Sequence, residues 1–141
     1  MIIKLSYLGL LPFILLPFGL LAPNLIAPAY LVQVYTVYSV CIAAFMAGTL
    51  WGREVDKPSA KPYMLLITNG ITLCIFAFAL IAEARIIGAL IGLVLAHLVN
   101  FLCERNKSNI RYYQLRKALT IGVVSGHCLL ILLIVWSPAF D

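Results

Sequence analysis

Charge is what this chain has least of. Only 11% of its 141 residues are Asp, Glu, Lys or Arg, and five of them are acidic. With 64% hydrophobic residues and a mean hydropathy of +1.07, a water-soluble domain of this size would lack the polar surface to cover itself. Its four cysteines, Cys41, Cys74, Cys103 and Cys128, contain no Cys-x-x-Cys pair, which argues against a disulfide framework or a cysteine-based zinc knuckle. No Asp or Glu lies deep within an apolar stretch and no nucleophile has a base at helical spacing. A catalytic constellation is therefore missing, and the expectation is a protein that is not an enzyme.

What the chain has in quantity is long apolar sequence. Five stretches, 5–22, 29–51, 62–82, 85–103 and 118–137, each approach the ~20 residues that a helix needs to cross a ~30 Å hydrocarbon layer. They predict an all-α integral membrane bundle of five transmembrane helices, with residues 1–141 forming one domain. Threaded in order, they place Lys4, Arg53, Lys57, Lys61, Arg105, Lys107, Arg111, Arg116 and Lys117 on one side and only Arg85 on the other. Basic short loops stay cytoplasmic, so the amino terminus is expected inside and the carboxyl terminus outside, in the periplasm. The net charge of +5 then faces anionic lipid headgroups, with the bilayer and not nucleic acid as the partner.

The first stretch is interrupted by Pro12 and Pro17 and has no small-x-small cleavage site, which predicts a retained, kinked helix. No Arg- and Ser-rich amphipathic leader precedes it, and the expected location is a bacterial inner membrane. Loop 52–61 ends at Lys61-Pro62, where the proline fits the first turn of a helix. The polar segment 104–117 is expected to start the last helix early, as an interfacial extension. Tyr30, Trp51, Tyr63, Tyr112, Tyr113 and Trp136 fall near the interfaces as belt anchors. Tyr35 and Tyr38 lie deeper, where hydrogen bonds inside the bundle are expected.

Small residues recur every fourth position at Gly48/Gly52, Gly88/Gly92 and Gly122/Gly126. Helix two carries two such edges, Ser39, Ala43, Ala47 and, beside it, Ala44, Gly48, Gly52. Lipid gives no hydrophobic drive for helices to pair, so close backbone approach over small residues supplies the packing. These glycines are expected at helix contacts, within the chain or in a homodimer, with close contacts at Gly48 and Gly52 in particular.

Ionisable groups inside spans are costly and therefore informative. Both histidines lie in spans, and at 1.5 Å per residue His97 and His127 differ in depth by only ~5 Å. His97, Asn100 and Glu104 share one face of helix four; Arg116, Thr120 and His127 share one face of helix five. Asn69 sits at a comparable depth on helix three. These residues predict a polar cluster, with Glu104 and Arg116 paired near the surface, where charge reversal is tolerated. Two readings follow for the histidines: a hydrogen bond fixing helix register, or a metal or proton site holding zinc or another transition ion. One chain offers too few ligands for a structural zinc, so a full set needs a second copy.

The string YSVCIAAFMAGTLWGRE, with Tyr38, Phe45, Gly48, Trp51 and Gly52, resembles the signature of a family of small membrane proteins of unknown function that includes mitochondrial transmembrane protein 69. YYQLRKALT, with Tyr113, Leu115, Arg116, Leu119 and Thr120, resembles the family's segment before its last helix, and the opening LSYLGLLPF extends the likeness. The family's glycine run near Gly48 is partly replaced by Met46-Ala47, and the residue before its Trp is Leu50. The resemblance implies a five-helix membrane protein with a part in envelope maintenance and brings no catalytic residues. The resulting expectation is a self-associating inner-membrane structural or interaction protein, with a membrane-protein partner as a further possibility. The alternative is a metal- or proton-handling protein using His97 and His127, and a third reading is a lipid or quinone enzyme with Arg53, Arg116 and Lys117 at a headgroup.

Overall fold

The computed structural model describes residues 6–104 and 109–137. Lys4, Arg105, Lys107 and Asp141, which bear on the charge count and the carboxyl terminus, lie outside the described residues. Among those described, the chain forms five α-helices and no strand: α1 Leu11–Gly19, α2 Pro28–Val55, α3 Pro62–Ile81, α4 Ile86–Leu102 and α5 Ile110–Trp136. A helical turn at residues 6–8 leads into α1. Helices α2, α3 and α5 are long and apolar enough to cross a membrane; Ser6–Gly19 and α4 are apolar but shorter.

Proline and asparagine set the starts. Pro12, Pro28 and Pro62 each occupy the first turn of a helix, where the missing N–H costs nothing. Asn109 caps α5 by accepting from the Tyr112 N–H at 3.0 Å, so this helix begins well before the apolar stretch at 118. In the last turn of α2, the buried Glu54 carboxylate accepts from the Lys61 N–H at 2.9 Å and pairs with Lys57.

Successive helices pack as neighbours, α1 closes the ring against α5, and α2 also packs on α4. The core has two apolar parts. One joins Phe13, Leu20, Leu31, Tyr35, Leu90, Leu130 and Ile134; the other joins Ala43, Ala47, Ile71, Ile75, Leu93 and Ala96. Between them runs a buried polar layer containing Ser39, His97 and His127.

The glycine expectation divides. A methyl group built at Gly126 would lie 2.5 Å from the Phe13 carbonyl oxygen and 3.1 Å from Tyr35 Oη; at Gly122 it would meet Leu10 at 2.9 Å, and at Gly92 the Phe78 ring at 2.5 Å. Gly126 needs glycine for close approach, since its neighbour is backbone, whereas at Gly122 and Gly92 the Leu10 and Phe78 side chains would have to shift. At Gly126 the reason is specific: Pro17 has no N–H to offer the Phe13 carbonyl, and the α5 backbone packs against that oxygen. Gly48, Gly52 and Gly88 are different, since a methyl there meets nothing within 4 Å. The expected close contacts at Gly48 and Gly52 are thus absent within the described chain. Helix α2 turns its other small edge inward, with Ser39, Ala43 and Ala47 almost wholly buried against α3 and α4. One residue further along, Gly48 is rotated by about 100° to the outside.

These glycines should separate in a thermal melt of the detergent-purified protein. Gly126→Ala is expected to cost about 1–3 kcal/mol through overpacking, while Gly48→Ala leaves the melting temperature unchanged or slightly raised. Equal melting of the two variants would show that α5 does not approach Phe13 as described.

Candidate functional site

The buried faces of α2, α4 and α5 meet at a chain of side-chain hydrogen bonds. Ser39 Oγ lies 3.1 Å from His97 Nε2 and 2.9 Å from His127 Nε2. On its other side, the His127 ring places Nδ1 at 2.9 Å from the Val123 carbonyl and 3.1 Å from Tyr35 Oη. Protons can be assigned by elimination. A carbonyl only accepts, so His127 carries its proton on Nδ1 and a neutral ring then accepts at Nε2 from the Ser39 hydroxyl. Ser39 is left to accept from the His97 Nε2–H. Phe13 packs against this layer, with its ring 5.4 Å from Tyr35, 6.1 Å from His97 and 5.6 Å from His127.

A charged group closes the same end of the bundle at which α2 and α4 stop and α5 starts. Glu104 Oε2 accepts from Arg53 at 2.6 Å and stands 3.6 Å from Arg116 Nε. The second distance is an ion pair too long for a hydrogen bond. Arg53 also lies over the Tyr112 ring, 5.4 Å from its centre. Two guanidiniums therefore share one carboxylate. The expectation of a surface pair is corrected here: the Glu104 and Arg116 side chains are only 1% and 7% exposed. Burial removes the solvent that makes a charge reversal tolerable.

Between α1, α2, α4 and α5 lies a cavity of about 360 Å³, open on one side. Leu10, Phe13, Ile42, Phe45, Met46 and Leu119 give it apolar walls, and His97, Asn100, Arg116 and Thr120 supply its polar patch. Asn100 donates from Nδ2 to the Ala43 carbonyl at 3.0 Å. Its Oδ1 and the Arg116 Nε are buried and make no hydrogen bond among the described residues.

The structure brings together most of the residues singled out from sequence. His97 and His127 converge, with ring centres 5.6 Å apart, and Asn100, Glu104, Arg116 and Thr120 continue toward the charged end. Asn69 is a correction: it is exposed, because α3 buries Met64, Thr68, Ile71 and Ile75 and thereby turns Asn69 outward. The sequence pattern marks Ser39 only as a small packing residue and Arg53 as a loop cation or a headgroup ligand. Helical phase alone does not distinguish a serine that bridges from one that merely fits. As a metal centre the pair is poorly furnished. Both His127 nitrogens are engaged, and the described residues contain no group of three His, Cys, Asp or Glu side chains able to hold an ion.

All-helical in its described residues, with three apolar helices of span length and with Ser39, His97, Asn100 and His127 turned inward, the chain has the construction of a membrane protein. The chain belongs to the family described as protein of unknown function, DUF3429, whose model matches residues 1–134. No curated protein and no solved structure matches it.

Glu104→Lys should collapse the charged end, since it sets three cations together in a buried site. A loss on the order of 3 kcal/mol is expected, read as loss of folded, monodisperse protein in detergent. Ser39→Ala, which leaves two ring nitrogens without their partner, should cost about 1–3 kcal/mol by thermal melt.

Proposed function

We propose that the chain crosses a bacterial inner membrane five times, amino terminus inside, and acts by holding a small amphiphilic molecule in the cavity between α1, α2, α4 and α5. The observation that carries this reading is the pairing, in one cavity, of apolar walls with Arg116 and Asn100, whose Nε and Oδ1 make no hydrogen bond among the described residues. Buried polar atoms without partners are expensive in hydrocarbon, and a bound polar group removes that cost. The walls suit a molecule that arrives from lipid. A protein that retains such a molecule would fit a part in envelope maintenance.

Five crossings are supported by the path of the chain. Helix α3 leaves from beside the end of α2, where Lys61 is bonded to Glu54, and α4 returns so that Glu104 reaches Arg53 at that same end. Helix α4 thus covers the depth that α3 covers, despite having 17 residues. Arg53, Lys57, Lys61, Arg111, Arg116 and Lys117 flank the ends that meet at Glu104, and Arg85 starts α4 at the other. Self-association is a second reading, favoured by Asn69 on the outside of α3 and by the open space at Gly48 and Gly88. An amide facing lipid gains from a partner amide on another copy.

Alkaline phosphatase fused after Asp141 should be active, as required for a periplasmic carboxyl terminus; a cytoplasmic reporter active there overturns the five-span topology. Asn69→Leu should reduce any dimer seen by crosslinking in membranes and leave the monomer fold intact.

A further inference from the structure

Resting on the reading of the cavity as an amphiphile site, we infer that its occupant is an anionic phospholipid with a hydroxylated headgroup, its phosphodiester oxygen held by Arg116 Nε and a headgroup hydroxyl donating to Asn100 Oδ1. Charge decides the first part. Arg53 and Arg116 face a single carboxylate, Glu104, whose Oε2 is taken by Arg53 at 2.6 Å. Arg116, only 6% exposed, shares that carboxylate at 3.6 Å, so two guanidiniums and one carboxylate carry one net positive charge, and its Nε–H makes no hydrogen bond among the described residues. His97, the other titratable side chain lining the cavity, already engages Ser39 through Nε2 and brings no negative charge. The missing counterpart is one negative charge carried on an oxygen.

Hydrogen-bond valence decides the second part. Asn100 is 2% exposed, and its amide nitrogen is fixed on the Ala43 carbonyl, which orients Oδ1 as a pure acceptor. An O–H or N–H must meet it. A choline headgroup offers none. Ethanolamine offers N–H donors, but its ammonium cancels the phosphate charge and leaves Arg116 uncompensated. A glycerol headgroup offers both the single charge and the hydroxyl. Shape decides the third. At about 30 Å³ per water, 360 Å³ holds far more than a phosphate, and the open side lets acyl chains continue along apolar walls. A free inorganic phosphate would leave most of those walls wet.

The test is native mass spectrometry of the detergent-purified full chain, with phosphatidylglycerol, phosphatidylethanolamine, phosphatidylcholine and inorganic phosphate added in parallel and thermal shift read alongside. Phosphatidylglycerol should be retained at least tenfold more strongly than either zwitterionic lipid and should raise the melting temperature most. Arg116→Gln should lower that retention at least tenfold and Asn100→Leu several-fold, while Arg111→Gln and Lys117→Gln, exposed cations at the same end, leave it unchanged. Should the polar variants fail to fold, Leu119→Trp, which fills the cavity from its apolar wall, is expected to expel the lipid without altering any charge. Equal retention of all three lipids, lost in Leu119→Trp, would keep the amphiphile cavity and overturn the anionic assignment. Retention indifferent to Leu119→Trp, or reduced by Lys117→Gln as much as by Arg116→Gln, would mean headgroups gathered around surface cations and overturn it as well. Stabilisation by inorganic phosphate equal to that by phosphatidylglycerol would make the ligand a free anion, and failure of every lipid to bind would sink the cavity reading itself.

Discussion

One hydroxyl, that of Ser39, joins three helices by satisfying two imidazoles at once. In lipid a polar group without a partner is expensive and water is not at hand, so a buried histidine constrains the helices around it. His97 fixes the rotation of α4 and His127 that of α5, and both must find the same serine on α2. With those three rotations set, Asn100 reaches the Ala43 carbonyl and Glu104 reaches the end of α2. The cavity is what remains where α1 covers this polar layer incompletely. Site and scaffold are therefore the same set of contacts.

Much of this was readable from the order of residues. Apolar length located α2, α3 and α5, which are long enough to cross hydrocarbon, while the stretches 5–22 and 85–103 yield helices shorter than that length. Pro28 and Pro62 marked their starts. Angular phase placed His97, Asn100 and Glu104 on one stripe and Arg116, Thr120 and His127 on another, and all of these are buried except Thr120, which is half-buried. Phase is a property of one helix at a time, and where the outcome depended on a neighbour it misled. Helix α2 has two small-residue edges about 100° apart, and nothing within α2 says which one α3 and α4 will cover. Asn69 failed for the same reason: its depth was right and its direction was set by the packing of Met64, Thr68, Ile71 and Ile75. Arg53 reaches inward from the last turn of α2, in a segment expected to be loop, whose basic character was already accounted for by the membrane surface.

Glu104 shows how topology and electrostatics support each other. A carboxylate buried beside two guanidiniums is stable only while all three stay together, and they come from the end of α2, the end of α4 and the start of α5. That ties elements distant in sequence at one end of the bundle. The short α4 benefits most, since its last turn is held there by charge.

Phe13 belongs to two structures at once. Its ring is wholly buried against Tyr35, Tyr38, His97 and His127, anchoring the shortest helix to the polar layer, and it is also a wall of the cavity. A smaller residue there would enlarge the chamber and loosen the anchor in the same stroke; a larger one would strengthen neither, because the carbonyl of the same residue is already pressed against Gly126. Capacity and cohesion are coupled through a single side chain. A descendant of this protein that came to accept a bulkier guest would have to gain room from the opposite wall, at Ile42, Met46 or Leu119, where no ring stack is at stake.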